Sequence, residues 1–255
     1  MTINTYPVAS AAVTVAESGS GRPFLLLHGG AGPVSFLSFG DLLARERPAR
    51  VLTPTHPGWN GTPRPDDLTT VRGLAELYAA LLDELDLTDV TVVGNSIGGW
   101  IAAELALLGR PRVSRVVILN GVGIAVPGHP VADFFALTPA ELTQLSYADP
   151  DRFRFDPDSL PDAQRAVLAA NRQAIALFAG TTMADPTLAA RLSAVTVPTC
   201  VLWGESDGIV DFAYGQAYAA AIPGAVHVPL PGAGHLPQLE TPRQTLEAIW
   251  DFAGT

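Results

Sequence analysis

Lysine is absent from this 255-residue chain and cysteine occurs once. Without a lysine amine, Schiff-base and pyridoxal phosphate chemistry lack their nucleophile, and all 15 basic residues are arginine. A single cysteine forms no internal disulfide, and Cys200 lies in the apolar run Thr199-Cys200-Val201-Leu202-Trp203, where packing is its expected role. Positive charge is scarce as well. Twenty-five acidic residues against 15 arginines give a net charge of -10, the wrong sign for a nucleic-acid surface or an anionic membrane. The amino terminus lacks a basic region followed by a long apolar stretch, and no apolar run reaches membrane-spanning length. The expectation is a soluble cytoplasmic protein, monomeric or homodimeric. No His, Cys and carboxylate spacing suggests a metal site, and no cofactor is expected.

What is present is alternation. Residues 12–16, 24–27, 50–53, 89–93, 113–119, 199–203 and 225–228 read as strands, several apolar enough to be buried on both faces. Between them, Val71, Leu74, Leu77, Tyr78, Leu81, Leu82 and Leu85 share one helix face, and helices are expected at 96–108, 212–221 and 241–252. Repeated βαβ order predicts an α/β fold with a mostly parallel central sheet flanked by helices. From 121 to 196 the strand signal disappears, and residues 161–178 carry an apolar stripe at Val167, Leu168, Ala174, Ile175 and Phe178. Residues 1–120 and 197–255 should therefore form one core, interrupted by a helical insertion at 121–196.

The most informative stretch is Gly94-Asn95-Ser96-Ile97-Gly98-Gly99, between an apolar strand and a helix. It matches G-x-S-x-G in the setting that exposes a serine hydroxyl on a sharp turn at a helix's positive end. A serine hydroxyl is a poor nucleophile at neutral pH and needs a base, an orienting acid and oxyanion donors. His235, in Pro231-Gly232-Ala233-Gly234-His235-Leu236-Pro237, lies in a loop after the last strand and is the candidate base.

With these motifs the chain resembles the α/β-hydrolase family from His28-Gly29-Gly30 to His235. That resemblance implies the order Ser, acid, His. Gly204-Glu205-Ser206-Asp207-Gly208-Ile209-Val210 resembles the family's W-G-x-x-D-x-x-V segment, placing Asp207 at the acid position with Glu205 as rival. It also implies that the Gly30 and Ile97 amides form the oxyanion hole, with His28 bracing or lining that loop. His56 stands where many relatives carry Asp, and a structural role is expected for it. Asn120 lies where some relatives carry an alternative acid; an amide supplies no negative charge, which favours Asp207.

The resemblance further implies that 121–196 forms a lid over the strands' carboxyl ends, where open α/β sheets bind ligands. His28, Asn95, His129, Phe134, Phe135, Asn171, Phe178 and Leu236 are the candidate substrate contacts, with Leu137 and Met183 also available. Their apolar character points to a small or medium, moderately hydrophobic ester, thioester or lactone, cleaved through an acyl-enzyme on Ser96. The elbow equally resembles that of meta-cleavage product hydrolases, which cut carbon–carbon bonds in vinylogous keto acids. Those enzymes commonly carry Trp directly after the catalytic His, where this chain has Leu236. Their lid arginine has five candidates here: Arg152, Arg154, Arg165, Arg172 and Arg191. Acyl transfer, perhydrolysis or lyase chemistry on the same residues, or ligand binding without catalysis, remain open at this level.

Overall fold

Alternating side chains along the central strands decide which face of the sheet each residue reaches. In the computed structural model, which describes residues 1–154 and 159–254, Leu25 and Leu27 of β3 (Arg22–Leu27) join one apolar cluster and Phe24 and Leu26 the other. The same split holds in β5 (Val90–Asn95), β6 (Val113–Leu119) and β9 (Thr199–Gly204), so both faces need helical cover. Helices α1 (Val34–Glu46) and α9 (Pro242–Gly254) cover one face; α2 (Val71–Glu84), α3 (Ile97–Leu108) and α7 (Phe212–Ala220) cover the other.

With β1 (Thr2–Val8), β2 (Ala11–Gly19), β4 (Ala49–Pro54) and β10 (Val226–Leu230), the sheet has the order β1-β2-β4-β3-β5-β6-β9-β10. Pairing is antiparallel at β1–β2 and β2–β4 and parallel from β4 onward. The chain leaves β3 toward β4 on one side and returns to β5 on the other. That reversal opens a crevice at the carboxyl ends of β3 and β5, the usual ligand position in such sheets.

Every expected strand and helix of the core is present to within a few residues. Three were not read from the sequence, β1, α1 and the short α8 (Pro237–Glu240). β1 is almost wholly exposed and carries no buried pattern, and α1 follows the glycine-rich turn directly. The segment between β6 and β9 contains α4 (Pro139–Ser146), α5 (Asp162–Ala179) and α6 (Leu188–Arg191). It also holds a two-residue parallel pairing of β7 (Gly123–Ile124) with β8 (Ala184–Asp185), in a stretch without strand signal in the sequence. A bridge of two residues is too short to leave a periodic signal. Ala174, Ile175, Phe178, Met183 and Leu188 of this segment belong to the same apolar cluster as α2 and α3. Among the described residues, no helix is long and apolar enough to cross a membrane, and no group of three or more His, Cys, Asp or Glu side chains could hold a metal ion.

Candidate active site

Ser96 lies between β5 and α3 with φ 58° and ψ -120°, a backbone conformation that L-residues rarely adopt and that costs of order 1–3 kcal/mol. The turn closes only because its flanking glycines have no side chains. A Cβ on Gly94 would sit 2.0 Å from the Gly98 carbonyl oxygen, and one on Gly98 would sit 2.0 Å from that of Leu27. The hydroxyl is half-buried and makes no hydrogen bond among the described residues.

Sheet register brings the loop after β3, the expected oxyanion loop, beside it. Leu27 pairs with Gly94, so the chain leaving β3 runs beside the chain leaving β5. A Cβ on Gly29 would lie 3.0 Å from that of Ser96. Neither the Gly30 nor the Ile97 amide donates a hydrogen bond among the described residues.

Asp207 and His235 meet in the loops after β9 and β10. His235 Nδ1 lies 2.8 Å from Asp207 Oδ2, with both residues buried. Asp207 Oδ1 accepts the Ile209 and Val210 amides at 2.8 and 3.1 Å, and Oδ2 also accepts Asn120 Nδ2 at 2.7 Å. A carboxylate so bonded is held in one orientation. Asn120 accepts the Gly204 amide through its own oxygen, at 3.2 Å, and so fixes the acid to the end of β9. Glu205 is exposed.

A sequence model described as the alpha/beta hydrolase family matches residues 24–248. This chain belongs to that family. The alpha/beta hydrolase is 29% identical over 266 aligned positions to a 2-hydroxy-6-oxononadienedioate/2-hydroxy-6-oxononatrienedioate hydrolase of Cupriavidus pinatubonensis, covering 93% of this chain and 89% of that one. Among solved structures, it superposes on a meta-cleavage product hydrolase from Pseudomonas fluorescens IP01 with TM-score 0.78 at 18% identity, covering 98% and 97% of the two chains. A thermophilic esterase from Thermogutta terrifontis gives TM-score 0.77 at 23% identity, covering 99% and 98%. At these identities the structural matches show the fold alone.

Among the expected substrate contacts of the alpha/beta hydrolase, several polar side chains are engaged internally. Asn95 is 1% exposed; its Nδ2 donates to the Leu119 and His235 carbonyls at 3.1 and 2.9 Å, and its Oδ1 accepts Gln238 Nε2. Asn95 therefore ties the elbow to the histidine loop. Asn171 is buried against Asn60, accepting its amide at 2.8 Å and donating to its side-chain oxygen at 3.0 Å. His28 is fully buried, with both ring nitrogens bonded. Phe178 is buried in a stack on Trp59, ring centroids 5.5 Å apart. His129 lies at the surface beside Asp211. Phe134 and Phe135 are half-buried in an edge-to-face pair, and Leu236 caps the short helix α8 (Pro237–Glu240).

Helix α8 carries a residue that sequence reasoning missed. Glu240 is 8% exposed, and its two oxygens accept the Gly234 and Ala148 amides, each at 2.7 Å. Burial raises its pKa, and the charge of Asp207 adds to the rise. Beside it the His235 amide donates to the Ser146 carbonyl at 2.7 Å, and the Gly208 amide to that of Leu145 at 2.8 Å. The carboxyl end of α4 thus holds both the acid loop and the histidine loop. The only available signal was an acid five positions after His235; its partners lie in a segment with no motif. Cys200 is buried, and burial pushes its thiol up to about 12, which fits packing rather than reactivity.

Proposed function

We propose that this protein hydrolyses a carbon–carbon bond in a vinylogous keto acid, with Ser96 as nucleophile, His235 as base, Asp207 as its orienting acid, and the Gly30 and Ile97 amides as oxyanion donors. Residues 121–196 act as the lid that selects the substrate. Arg172 carries this reading. Of the five lid arginines, Arg154 and Arg165 pair with Asp151 and Asp162, Arg191 makes a bidentate bond to buried Glu104, and exposed Arg152 rests on Phe153. Arg172 is half-buried, donates to the Phe135 carbonyl at 2.7 Å, and stacks on Phe134 and Phe135 at 5.0 and 5.4 Å. Those contacts supply no countercharge. Arg172 is one helical turn from Ile175, whose Cδ1 lies 2.7 Å from where a Cβ on Gly30 would sit. A substrate carboxylate held by Arg172 leaves its carbonyl within reach of the oxyanion loop.

His235 takes the proton as Ser96 Oγ bonds to the carbonyl carbon, and the two amides receive the oxyanion. Collapse breaks the bond to the leaving group, to which His235 returns the proton. A carbon leaving group departs with an electron pair, which a conjugated keto acid delocalises and a simple ketone does not. Water, activated by His235, then releases the acyl group from Ser96. The curated relative from Cupriavidus pinatubonensis, named for hydrolysis of such a dienedioate, supports this substrate class. Leu236 after the histidine, with the apolar Phe134 and Phe135, favours simple esters as the second reading.

A fluorophosphonate probe is expected to label the native protein and not Ser96→Ala. A yellow ring-fission dienoate should bleach faster than p-nitrophenyl acetate is cleaved. Arg172→Gln should raise KM for the dienoate about 10- to 100-fold, the loss of a charge-assisted bond worth ~1.5–3 kcal/mol, and spare the ester. Ester turnover without bleaching moves the reading to an esterase; folded protein that neither labels nor turns over either substrate defeats both.

A further inference from the structure

We infer that His56, acting through His28, sets the direction in which the Gly30 amide points, and that Tyr78 fixes the tautomer that allows it. The inference rests on Gly30 being an oxyanion donor to a substrate attacked by Ser96.

The hydrogen bonds leave one proton arrangement. The His56 backbone amide can only donate, and it meets His28 Nε2 at 3.1 Å, so that nitrogen is unprotonated. His28 therefore carries its proton on Nδ1 and donates it to the Gly29 carbonyl at 2.7 Å. The His28 carbonyl can only accept, so His56 carries its proton on Nε2, 2.9 Å away. His56 Nδ1 is then an acceptor, and the Tyr78 hydroxyl donates to it. The two imidazoles stack with centroids 3.7 Å apart, and all three residues are fully buried.

The consequence reaches the oxyanion loop through one peptide plane. The Gly29 carbonyl and the Gly30 N–H belong to the same trans peptide unit and point in opposite directions. The carbonyl is held by two donors, His28 Nδ1 and the Gly32 amide at 3.1 Å. Pinning the oxygen toward His28 aims the Gly30 N–H away from it, on a loop packed against Ser96. Loss of the His56 proton donor frees the His28 backbone, and a wrong tautomer on His56 sets two acceptors face to face. His56, His28 and Tyr78 are positioning residues; none touches the reacting atoms.

The groups facing His56 are His28 from the β3 loop, Tyr78 from α2, and Trp59 and Thr62 from its own loop, with no carboxylate or arginine bonded to it among the described residues. The tautomers are thus set by hydrogen bonds rather than by a neighbouring charge.

Three substitutions test this, assayed with p-nitrophenyl acetate and with a trifluoromethyl ketone that forms an oxyanion on Ser96. His56→Leu should lower kcat about 10- to 100-fold with KM within about twofold, less than the 10²–10³ of removing a donor outright. Affinity for the ketone should fall in parallel. His56→Gln, whose amide nitrogen can reach the His28 carbonyl, should recover to within about threefold of the native kcat, and Tyr78→Phe should fall between the two. Nitrogen-detected NMR of the unliganded native protein should show the Nδ1–H form for His28 and the Nε2–H form for His56, with the latter changed by Tyr78→Phe. Opposite tautomers overturn the inference, as does an unchanged kcat in both His56→Leu and Tyr78→Phe. The tautomer spectrum needs no turnover, so it stands apart from fluorophosphonate labelling, whose failure counts against Ser96 alone.

Discussion

The two flanks of Ser96 are supported in opposite ways. On the oxyanion flank, the loop after β3 rests on an uncharged stack of His28, His56 and Tyr78 buried within the core. On the acid–base flank, Asp207 and His235 form a hydrogen-bonded pair, and their loops hang from Leu145 and Ser146 at the end of α4 and from Glu240 of α8. The hydrogen bonds of one flank come from the loops after β3 and β4 and from α2, those of the other from α4 and α8, while Ile175 and Asn171 of the insertion pack against the loop after β3. Changes in α4 should therefore disturb proton transfer before they disturb oxyanion binding.

The largest expected effect separates charge from shape. Asp207→Asn keeps an oxygen for the Ile209 and Val210 amides but presents an N–H where His235 and Asn120 both donate. Turnover of p-nitrophenyl acetate should drop about 10⁴-fold, whereas urea unfolding should register only ~1–3 kcal/mol. A comparable loss from His56→Leu would erase the asymmetry between the flanks.

The flanks should also answer pH with opposite signs. Burial lowers His56 to about 4 from an ordinary 6.5. Its contribution is complete above the unfolded value and is lost as pH falls through that window, to about 3 kcal/mol in acid. Burial lowers His28 too, in the same direction. Glu240 is raised from 4.5, so its contribution is complete below that value and is lost as pH rises through its folded pKa. Urea unfolding between pH 7.5 and 4 should show stability falling toward acid, and His56→Gln should flatten that slope. A slope unchanged by the substitution would remove His56 as its cause.

The smallest effect sharpens the role of α4. Glu240→Gln leaves one of two amides, Gly234 or Ala148, facing an NH₂ group, at ~1–2 kcal/mol. A several-fold loss of kcat, with ketone affinity retained, would place the damage on the acid–base flank; weakened ketone binding would show that the flanks are not independent.

The elbow was legible in the sequence because it is local: Gly94, Ser96 and Gly98 lie within five residues, and the strand and helix beside them have strong patterns. Asp207 and His235 were legible through the order of strands and family resemblance. The supports were not, since they join distant positions. His56 meets Tyr78 across 22 residues and Glu240 meets Ala148 across 92. Polar side chains such as Asn95 and Asn171 read equally well as ligand contacts or internal braces, and only partner distances separate the two.

The pairing of Leu27 with Gly94 has a consequence for how such a molecule can diverge. The residues proposed as nucleophile and oxyanion donor hang from two adjacent hydrogen-bonded strands, so their separation follows the roughly 4.8 Å spacing of the sheet. That gauge is made of backbone and is indifferent to which side chains drift around it. Any substitution that leaves these two strands paired leaves that separation in place, whatever is rebuilt above them.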